Sequence, residues 1–341
     1  MLREVGSAHP QLAAEFRRAL EAGPGETAAL APHWAALTVQ PTHGGRGLDQ
    51  TAALMVAEET GRAGRDGTLL DMIAAAETLA AVGRGPAADA LEGLTTGTDV
   101  PAVSWWPAPG ERYGDDGEPP GQRDFAVGLP ATTALLRLPP APGAGERFAL
   151  LALRGAVSRP QPGLHGEPRH RLDLEGRAAP LWPADAGIAP DDSDPGPVDL
   201  DGIRRAAYLW GLGDAAVGAA VRRARQRHQF GVPIGRHQAV AFPLAALTAR
   251  LRATRLLIHS TAAAAAATDH EDKRPFTERV THLVRHTSEL ALDATWCALH
   301  LHGAHGLTAD SPAQLLYRRA LFHTALLRPG RHPHPSYSRR T

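Results

Sequence analysis

The residues with the clearest capacity for chemistry lie together in one short connector, Arg-His-Gln-Phe-Gly-Val-Pro-Ile-Gly-Arg-His-Gln, which begins at Arg227. The guanidinium group of Arg227 can bind phosphate oxygens, and Phe230 offers an apolar face to a flat ring. Gly231 and Gly235 let the backbone approach a ligand closely, while the Gln238 amide can both donate and accept hydrogen bonds. A plain turn between helices needs only a glycine or a proline, so this combination predicts a binding site.

The elements that must position this connector are two long amphipathic helices within a run of four, from about residue 199 to 329. Apolar residues recur there at helical spacing, and the connections are short, which is typical of a four-helix bundle. The fourth helix begins with a predicted capping box, Ser311-Pro-Ala-Gln314, and stops at Pro329-Gly330. The apolar stripe of the first helix comprises Ile203, Ala206, Trp210, Val217, Val221 and Ala224.

Two further regions precede the bundle. Residues 1–95 show helical periodicity, with Leu12, Phe16 and Leu20 on one face. Residues 96–196 are rich in proline and glycine, with short apolar runs that indicate a small, loop-rich β domain. We therefore predict an α+β fold that is mainly α, with a four-helix bundle over 197–330 and a disordered tail over 331–341.

Composition excludes several classes of protein. The 341 residues carry 36 Lys and Arg against 36 Asp and Glu, so neither a nucleic-acid partner nor an anionic membrane surface is indicated. Cys297 is the one cysteine, which rules out an intramolecular disulfide and a cysteine-based zinc cluster. No apolar run approaches the length of a transmembrane helix, and no secretory signal is visible, so we expect a cytoplasmic protein.

The connector's signature, R-x-x-F-G-x-P-I-x-x-H-Q, resembles the one carried by acyl-CoA dehydrogenases, the flavoenzymes that desaturate acyl thioesters between Cα and Cβ. The order helical domain, β domain, four-helix bundle is also similar to that family. Shorter similarities lie at Pro41–Gly47, Glu58–Gly61, Leu200–Ile203, Ala298–Gly306 and Ser311–Arg318.

The resemblance implies a homodimer, a homotetramer or a heteromer with a related subunit, with FAD held at the bundle interface. It implies that Arg227 and Phe230 reach the adenosine diphosphate part of a flavin seated mainly on a neighbouring subunit. His237 and Gln238 stand at the matching H-Q positions, and Gly303 would pass close to the same cofactor. His300 replaces the usual glutamine there. An acyl-CoA thioester is the implied substrate, and an electron-transfer partner is left open.

The family reaction needs a carboxylate that removes the proton at Cα. The usual glutamate is missing, because residues 322–330 contain no carboxylate and Leu327 stands at roughly its place. Some family members place the base at the start of the first bundle helix, and an ungapped count back from Phe230 puts Asp201 on that position. The alternative for Asp199 and Asp201 is electrostatic support of a helix N-terminus.

Two functions remain open at this point. The first is a flavin-dependent acyl-CoA dehydrogenase, an oxidoreductase that uses Asp201 or another base. The second is a catalytically inactive subunit that completes the FAD site of a homologous partner. Two other motifs do not indicate a function. The glycines of Gly211–Gly218 are spaced as in a dinucleotide-binding motif but lie in a helical pattern. The spacing of His300, His302 and His305 argues against a metal site.

Overall fold

The computed structural model describes most of the helical sequence and the strands of the middle region. Several segments lie outside the described residues, including most of the proline-rich stretches 107–122 and 183–199 and the last residues, 331–341, with the prediction of a disordered tail made for them. The described residues are 9–22, 31–105, 122–126, 131–137, 148–153, 157–161, 163, 169–174, 178–182, 195–266 and 274–327.

The N-terminal region is helical, as predicted. Its helices are α1 (Pro10–Ala22), α2 (Gln50–Arg62), α3 (Thr68–Val82) and α4 (Pro86–Thr96), with a 3-10 turn at Pro41–His43 and a short helical segment over 31–35. The apolar face predicted for α1 is buried, and the Phe16 ring packs edge-on against Trp34 with 4.7 Å between centroids.

The strands of the middle region are β1 (Ala102–Ser104), β2 (Gln122–Ala126), β3 (Thr133–Arg137), β4 (Phe148–Leu153), β5 (Ser158–Pro160), β6 (Arg169–Asp173) and β7 (Ala178–Trp182). They form a seven-stranded sheet in the order β5-β6-β2-β1-β3-β4-β7, and all neighbouring strands pair antiparallel except β1 and β3. The strands predicted around Leu135, Phe148 and Leu172 are present. Their inner side chains join one apolar core with the N-terminal helices.

Four helices form the predicted bundle: α5 (Pro197–Gln226), α6 (Gln238–Ala265), α7 (Arg274–His302) and α8 (Pro312–Leu327). The predicted stripe of α5 is buried except for Val221, which is half-buried. The predicted capping box of α8 is wrong. The buried Ser311 hydroxyl has no hydrogen-bond partner in the described structure, and Gln314 donates instead to the Ala309 carbonyl at 3.0 Å.

The four-helix arrangement brings the ends of α5 and α7 to the same level. Gly202 lies against Val280 and Val284, and eleven residues further on Gly213 lies against Ala291 and Ala294. The two helices therefore run parallel, so the end of α5 at Gln226 is level with the end of α7 near His302.

Among the described residues, no helix combines the length and apolar composition that crossing a bilayer requires.

A close helix crossing joins the N-terminal region to the bundle. A Cβ added to Gly211 of α5 would lie 2.3 Å from the Glu58 carbonyl oxygen, and one added to Gly61 of α2 would lie 2.2 Å from the Tyr208 carbonyl oxygen. Only glycine fits at either position. This crossing accounts for Gly211, the first glycine of the dinucleotide-like pattern, and the whole pattern lies inside α5 as the sequence indicated.

Candidate functional site

The signature connector folds as a tight β-hairpin at the end of the bundle. Its two-residue strands β8 (His228–Gln229) and β9 (Val232–Pro233) pair antiparallel, with Gln229 opposite Val232. The two residues between them, Phe230 and Gly231, have φ values of 53° and 80°. Positive φ at both central positions is the signature of a type I′ turn, which normally selects asparagine, aspartate or glycine.

Phe230 is therefore an unexpected residue at the tip of this hairpin. Among the described residues it is the only non-glycine with positive φ, and its side chain is 92% exposed. A left-handed backbone costs a non-glycine residue about 1–2 kcal/mol, and burial of the ring within this chain does not offset that cost. Strain of this kind is characteristic of binding sites, which indicates that the ring is presented to something outside the chain.

The base of the hairpin is anchored to α5. The Ile234 amide donates to the Arg227 carbonyl at 2.8 Å, and the Ile234 side chain is buried. A Cβ at Gly235 would lie 3.2 Å from the Ala224 carbonyl oxygen, so glycine at this position serves packing against α5, not the ligand approach expected from the sequence. The anchoring holds the exposed Arg227 and Phe230 at a fixed place relative to the bundle.

His237 lies beside the hairpin tip. Its ring is perpendicular to that of Phe230, with 6.0 Å between the centroids. Its Nε2 atom is buried and has no hydrogen-bond partner within the described part of the chain. Burying an imidazole nitrogen without a hydrogen-bond partner costs free energy unless a ligand or a water molecule forms that hydrogen bond. The next residue, Gln238, is exposed at the start of α6.

The second predicted segment, His300 and Gly303, lies at the same end of the bundle because α5 and α7 run parallel. Gly303 has a φ of 61° and opens a 3-10 turn at Gly303–Leu307. Apart from its two chain neighbours, no described residue has an atom within 4 Å of where a Cβ would stand. His300 is exposed, with its ring 6.5 Å from that of Trp296. The fold thus groups all six predicted cofactor residues at one end of the molecule.

Asp201 lies at the other end of α5. Twenty-six residues separate it from Arg227, which corresponds to about 39 Å along a helix. Its side chain is 0% exposed, and Arg205 Nε donates to its Oδ2 atom at 3.2 Å. Arg205 also donates to Asp71 of α3, and Arg169 Nη2 of β6 lies 3.5 Å from the same carboxylate. Burial raises the pKa of Asp201 although Arg205 and Arg204 oppose the shift.

Sequence reasoning missed this buried ion-pair cluster. The spacing of Asp201 and Arg205, four residues apart on one helix, is a signal that could have predicted their pairing. Asp71 gave no comparable signal, because its contact with Arg205 depends on how α3 packs against α5. The assignment of Asp201 as a catalytic base stays a prediction.

A second buried carboxylate, Glu58, joins α2 to α6. Arg255 Nη2 donates to it at 2.8 Å and His259 Nε2 lies 2.9 Å away, both from α6. Two guanidinium groups lie over the Trp210 ring of α5, Arg62 at 4.6 Å and Arg255 at 5.2 Å from its centroid. Burial alone would raise the pKa of Glu58, but the hydrogen bonds and charges of His259 and Arg255 outweigh it and lower that pKa.

Replacing Glu58 with glutamine is expected to lower the free energy of unfolding by about 2 kcal/mol at neutral pH, because Arg255 and His259 lose their anion. The ion-pair contribution is fully present above the ordinary pKa of 4.5 and is lost as pH falls through the lowered folded value. Chemical denaturation at several pH values measures this. The difference between the wild type and Glu58→Gln should vanish in acid, and a difference independent of pH would contradict the assignment.

The histidines near the end of α7 do not converge. His302 Nδ1 lies 2.7 Å from the Ala298 carbonyl oxygen within its own helix. Over the described ranges, no three His, Cys, Asp or Glu side chains are arranged to hold a metal ion.

The residues at the hairpin end fit an elongated ligand with phosphates and a flat ring. Arg227 provides an exposed cation, Phe230 an exposed apolar ring, and His237 a buried nitrogen without a partner in the described structure. Gly303 leaves open space where a side chain would stand. These features suit the diphosphate and adenosine of FAD, the cofactor that the resemblance implies.

Comparison with known proteins agrees with the fold and the hairpin. Residues 202–326 match the model of the acyl-CoA dehydrogenase C-terminal domain. The 3-(aryl)acrylate reductase of Clostridium sporogenes is 34% identical over 113 residues, 33% of this chain and 29% of its own length. The short-chain specific acyl-CoA dehydrogenase of Megasphaera elsdenii is 32% identical over 115 residues, 33% of this chain. The match spans 29% of that relative's length.

Solved structures extend the similarity over nearly the whole chain. The ChsE4-ChsE5 complex from Mycobacterium tuberculosis has a TM-score of 0.73 at 17% identity, covering 95% of this chain and 93% of that one. Butyryl-CoA dehydrogenase from Megasphaera elsdenii has a TM-score of 0.69 at 18% identity, covering 95% and 94%. The architecture is thus that of acyl-CoA dehydrogenases, with three successive regions that end in a helical bundle. The similarity in sequence is thus to the acyl-CoA dehydrogenase family, and it lies in the C-terminal region, residues 202–326.

Proposed function

We propose that this chain is a subunit of a flavin-dependent oxidoreductase that desaturates an acyl-CoA thioester, and that its hairpin binds the flavin of a neighbouring subunit. The observation that carries this proposal is Phe230, a strained aromatic residue that is 92% exposed at the tip of an anchored hairpin. Within its own chain the ring has little to contact, so its conformation makes sense when a ligand seated on a neighbour covers it.

The length of α5 supports a role in a neighbour's site. The hairpin and Asp201, at the position of the base in some family members, are about 39 Å apart along this helix. Catalytic groups that act on one substrate must lie within a few ångströms of the reacting atoms. A single copy of the chain therefore does not combine its own hairpin and its own Asp201 around one substrate.

Each hairpin residue has a defined task in this proposal. Arg227 neutralises the diphosphate, and Phe230 packs against the flat adenosine part. The His237 Nε2 atom forms a hydrogen bond with the ligand. The same end of the bundle is lined by Gln238, His300 and Gly303. Gly303 contributes by leaving room for the ligand to approach the backbone closely. When bound, the flavin would accept the hydride that leaves Cβ.

The base that deprotonates Cα is proposed to come from a homologous subunit in a heteromer. In this chain Asp201 is enclosed by arginines at 0% exposure, and the described part of the last helix, 312–327, contains no carboxylate. Assemblies of different chains occur among its relatives: one similar structure is named as a ChsE4-ChsE5 complex, and one similar protein as a subunit of a caffeyl-CoA reductase-Etf complex. An electron-transferring flavoprotein is the corresponding candidate for an electron acceptor.

Co-expression tests the heteromer. The chain is produced alone and together with a family member from the same genome that carries the usual glutamate. We expect the chain alone to be colourless and inactive, and the mixture to retain FAD and to reduce an artificial electron acceptor with an acyl-CoA. A yellow, active protein from the single chain would contradict the heteromer, and a mixture without flavin would contradict the flavin role.

A self-sufficient dehydrogenase that uses Asp201 is the second candidate, favoured by the raised pKa of that buried carboxyl, a property that a general base requires. Asp201→Asn separates the two. In the heteromer we expect turnover per bound flavin to be unchanged, with the free energy of unfolding reduced by about 1–3 kcal/mol through the weakened pairing with Arg205. A loss of turnover of about a thousandfold in a folded, flavin-loaded protein would identify Asp201 as the base.

A further inference from the structure

An open groove lies between α6 and α7, towards the end of the bundle opposite the hairpin. Its space is about 500 Å³, within the range of about 300–1,000 Å³ that is typical of ligand pockets. Leu257, the first residue of α6 in its lining, stands 19 residues after the start of that helix at Gln238, which corresponds to about 29 Å. The groove is therefore separate from the proposed flavin site.

The floor of the groove is apolar. The Leu283 side chain of α7 is 2% exposed, and Leu257, at 40%, lines the groove from α6. Thr261 is fully buried, and its hydroxyl donates to the Leu257 carbonyl at 2.8 Å, so its polar atom is satisfied within α6. Removing apolar surface from water is favourable, so this floor suits an alkyl chain.

Two basic residues lie at the ends of this apolar floor. Arg279, Leu283 and His286 follow one another at spacings of four and three residues on α7, so they share one stripe of the helix. Leu283 is thus between the other two, which are about 10 Å apart along the helix axis. The Nε2 atom of His286 lies 2.9 Å from the hydroxyl of buried Thr254, and this contact holds the ring in place.

Arg279 is the residue of the lining best suited to bind an anion. It is exposed, and it forms no ion pair within the described part of the chain. The carboxylate of the lining, Glu278, stands four residues before His282, the spacing at which side chains on a helix are neighbours. Adjacent residues on a helix do not face each other, so Glu278 leaves Arg279 available.

We propose that the groove binds a free fatty acid, with its alkyl chain along Leu257 and Leu283 and its carboxylate on Arg279. A carboxylate accepts two parallel hydrogen bonds from a guanidinium group, which a neutral or cationic amphiphile does not. A segment of another protein suits this lining less well, because charged residues are depleted at the cores of protein interfaces. The apolar floor and the arginine together select an amphipathic anion.

Calorimetric titration of the full chain with decanoate and with decanol, below the concentrations that form micelles, tests the carboxylate contact. We expect saturable binding of decanoate, with decanol about tenfold weaker because it lacks the charge. Arg279→Gln should weaken decanoate binding about 10- to 100-fold and leave decanol binding unchanged. Arg285→Gln changes an exposed arginine of α7 outside the lining and should affect neither ligand. Equal affinities for the two ligands, or an Arg279→Gln variant that binds decanoate as the wild type does, would overturn the proposal.

Replacing the exposed leucine of the groove tests the apolar contact. Leu257→Asn should weaken the binding of both ligands about tenfold, because the alkyl chain loses its cover. Leu256→Asn is the matched control, since Leu256 is 50% exposed but lies outside the lining, and it should bind both ligands as the wild type does. Equal losses in the two variants would contradict the assigned position of the alkyl chain.

A different occupant of the groove gives a different result. Decanoate affinity that falls as the protein concentration rises would assign the groove to another chain. Binding to phosphatidylglycerol vesicles without binding of free decanoate would assign it to a lipid surface. Either result, or no saturable binding at all, would overturn the proposal. These measurements need neither flavin nor acyl-CoA, so their outcome is independent of the proposed activity.

Discussion

Replacing Phe230 with asparagine is expected to weaken flavin binding by the assembled protein about 10- to 100-fold while leaving the fold as stable as before. Burying a phenylalanine ring is worth about 1.5–3 kcal/mol, and asparagine forfeits that contact. Asparagine tolerates the left-handed backbone that Phe230 adopts at a φ of 53°. The free energy of unfolding should therefore stay constant or rise by about 1 kcal/mol, measured by chemical denaturation beside a flavin titration.

Phe230→Tyr is the matched control for this experiment, because it retains the ring and the backbone strain. It should bind flavin nearly as the wild type does. If Phe230→Asn lost stability and flavin together, the ring would have a structural role within the chain, and the exposed-tip interpretation would fail. If Phe230→Asn kept full affinity, the hairpin would not contact the cofactor.

Replacing Gly211 with alanine is expected to destabilise the protein by about 3 kcal/mol, although alanine is the better helix former. The new Cβ would stand 2.3 Å from the Glu58 carbonyl oxygen and 3.0 Å from the Arg62 amide nitrogen of α2. Both atoms belong to a backbone that cannot move away without separating the two helices. The steric cost exceeds the gain of about 1 kcal/mol in helix propensity.

Gly218 provides the control on the same helix. A Cβ there would meet only Arg222 Nη1, at 3.5 Å, so Gly218→Ala should stabilise the protein by about 0.5–1 kcal/mol. Thermal denaturation of the two variants gives opposite shifts if the crossing is as close as described. Similar shifts for both variants would show that α2 and α5 are further apart.

Much of the architecture could be predicted from the sequence because its signals are local. The apolar stripe through Ile203 and Trp210 follows the period of a buried helix, and those residues are buried in α5. The strands around Leu135 and Phe148 follow from short apolar runs between turn residues. The resemblance to acyl-CoA dehydrogenases was found in the connector that begins at Arg227, whose arginine and phenylalanine are not required by a plain turn between helices.

What the sequence could not predict depends on contacts between distant segments. The partner of Asp201 on its own helix, Arg205, lies at ordinary helical spacing, but the closing of the cluster by Asp71 requires the packing of α3 on α5. The predicted capping box failed for a related reason. Gln314 has a nearer acceptor in the Ala309 carbonyl, and only the path of the preceding turn reveals it.

The length of α5 has a consequence for how such a chain evolves. Under the proposed function its two ends serve different pockets, so substitutions that abolish chemistry at one end leave the other end under selection imposed by another polypeptide. The product of a duplicated gene can therefore lose its proton-abstracting residue and still be retained, because the homologous subunit that keeps this residue needs it to complete a binding site. Unequal subunits of a common origin are the expected result of this geometry.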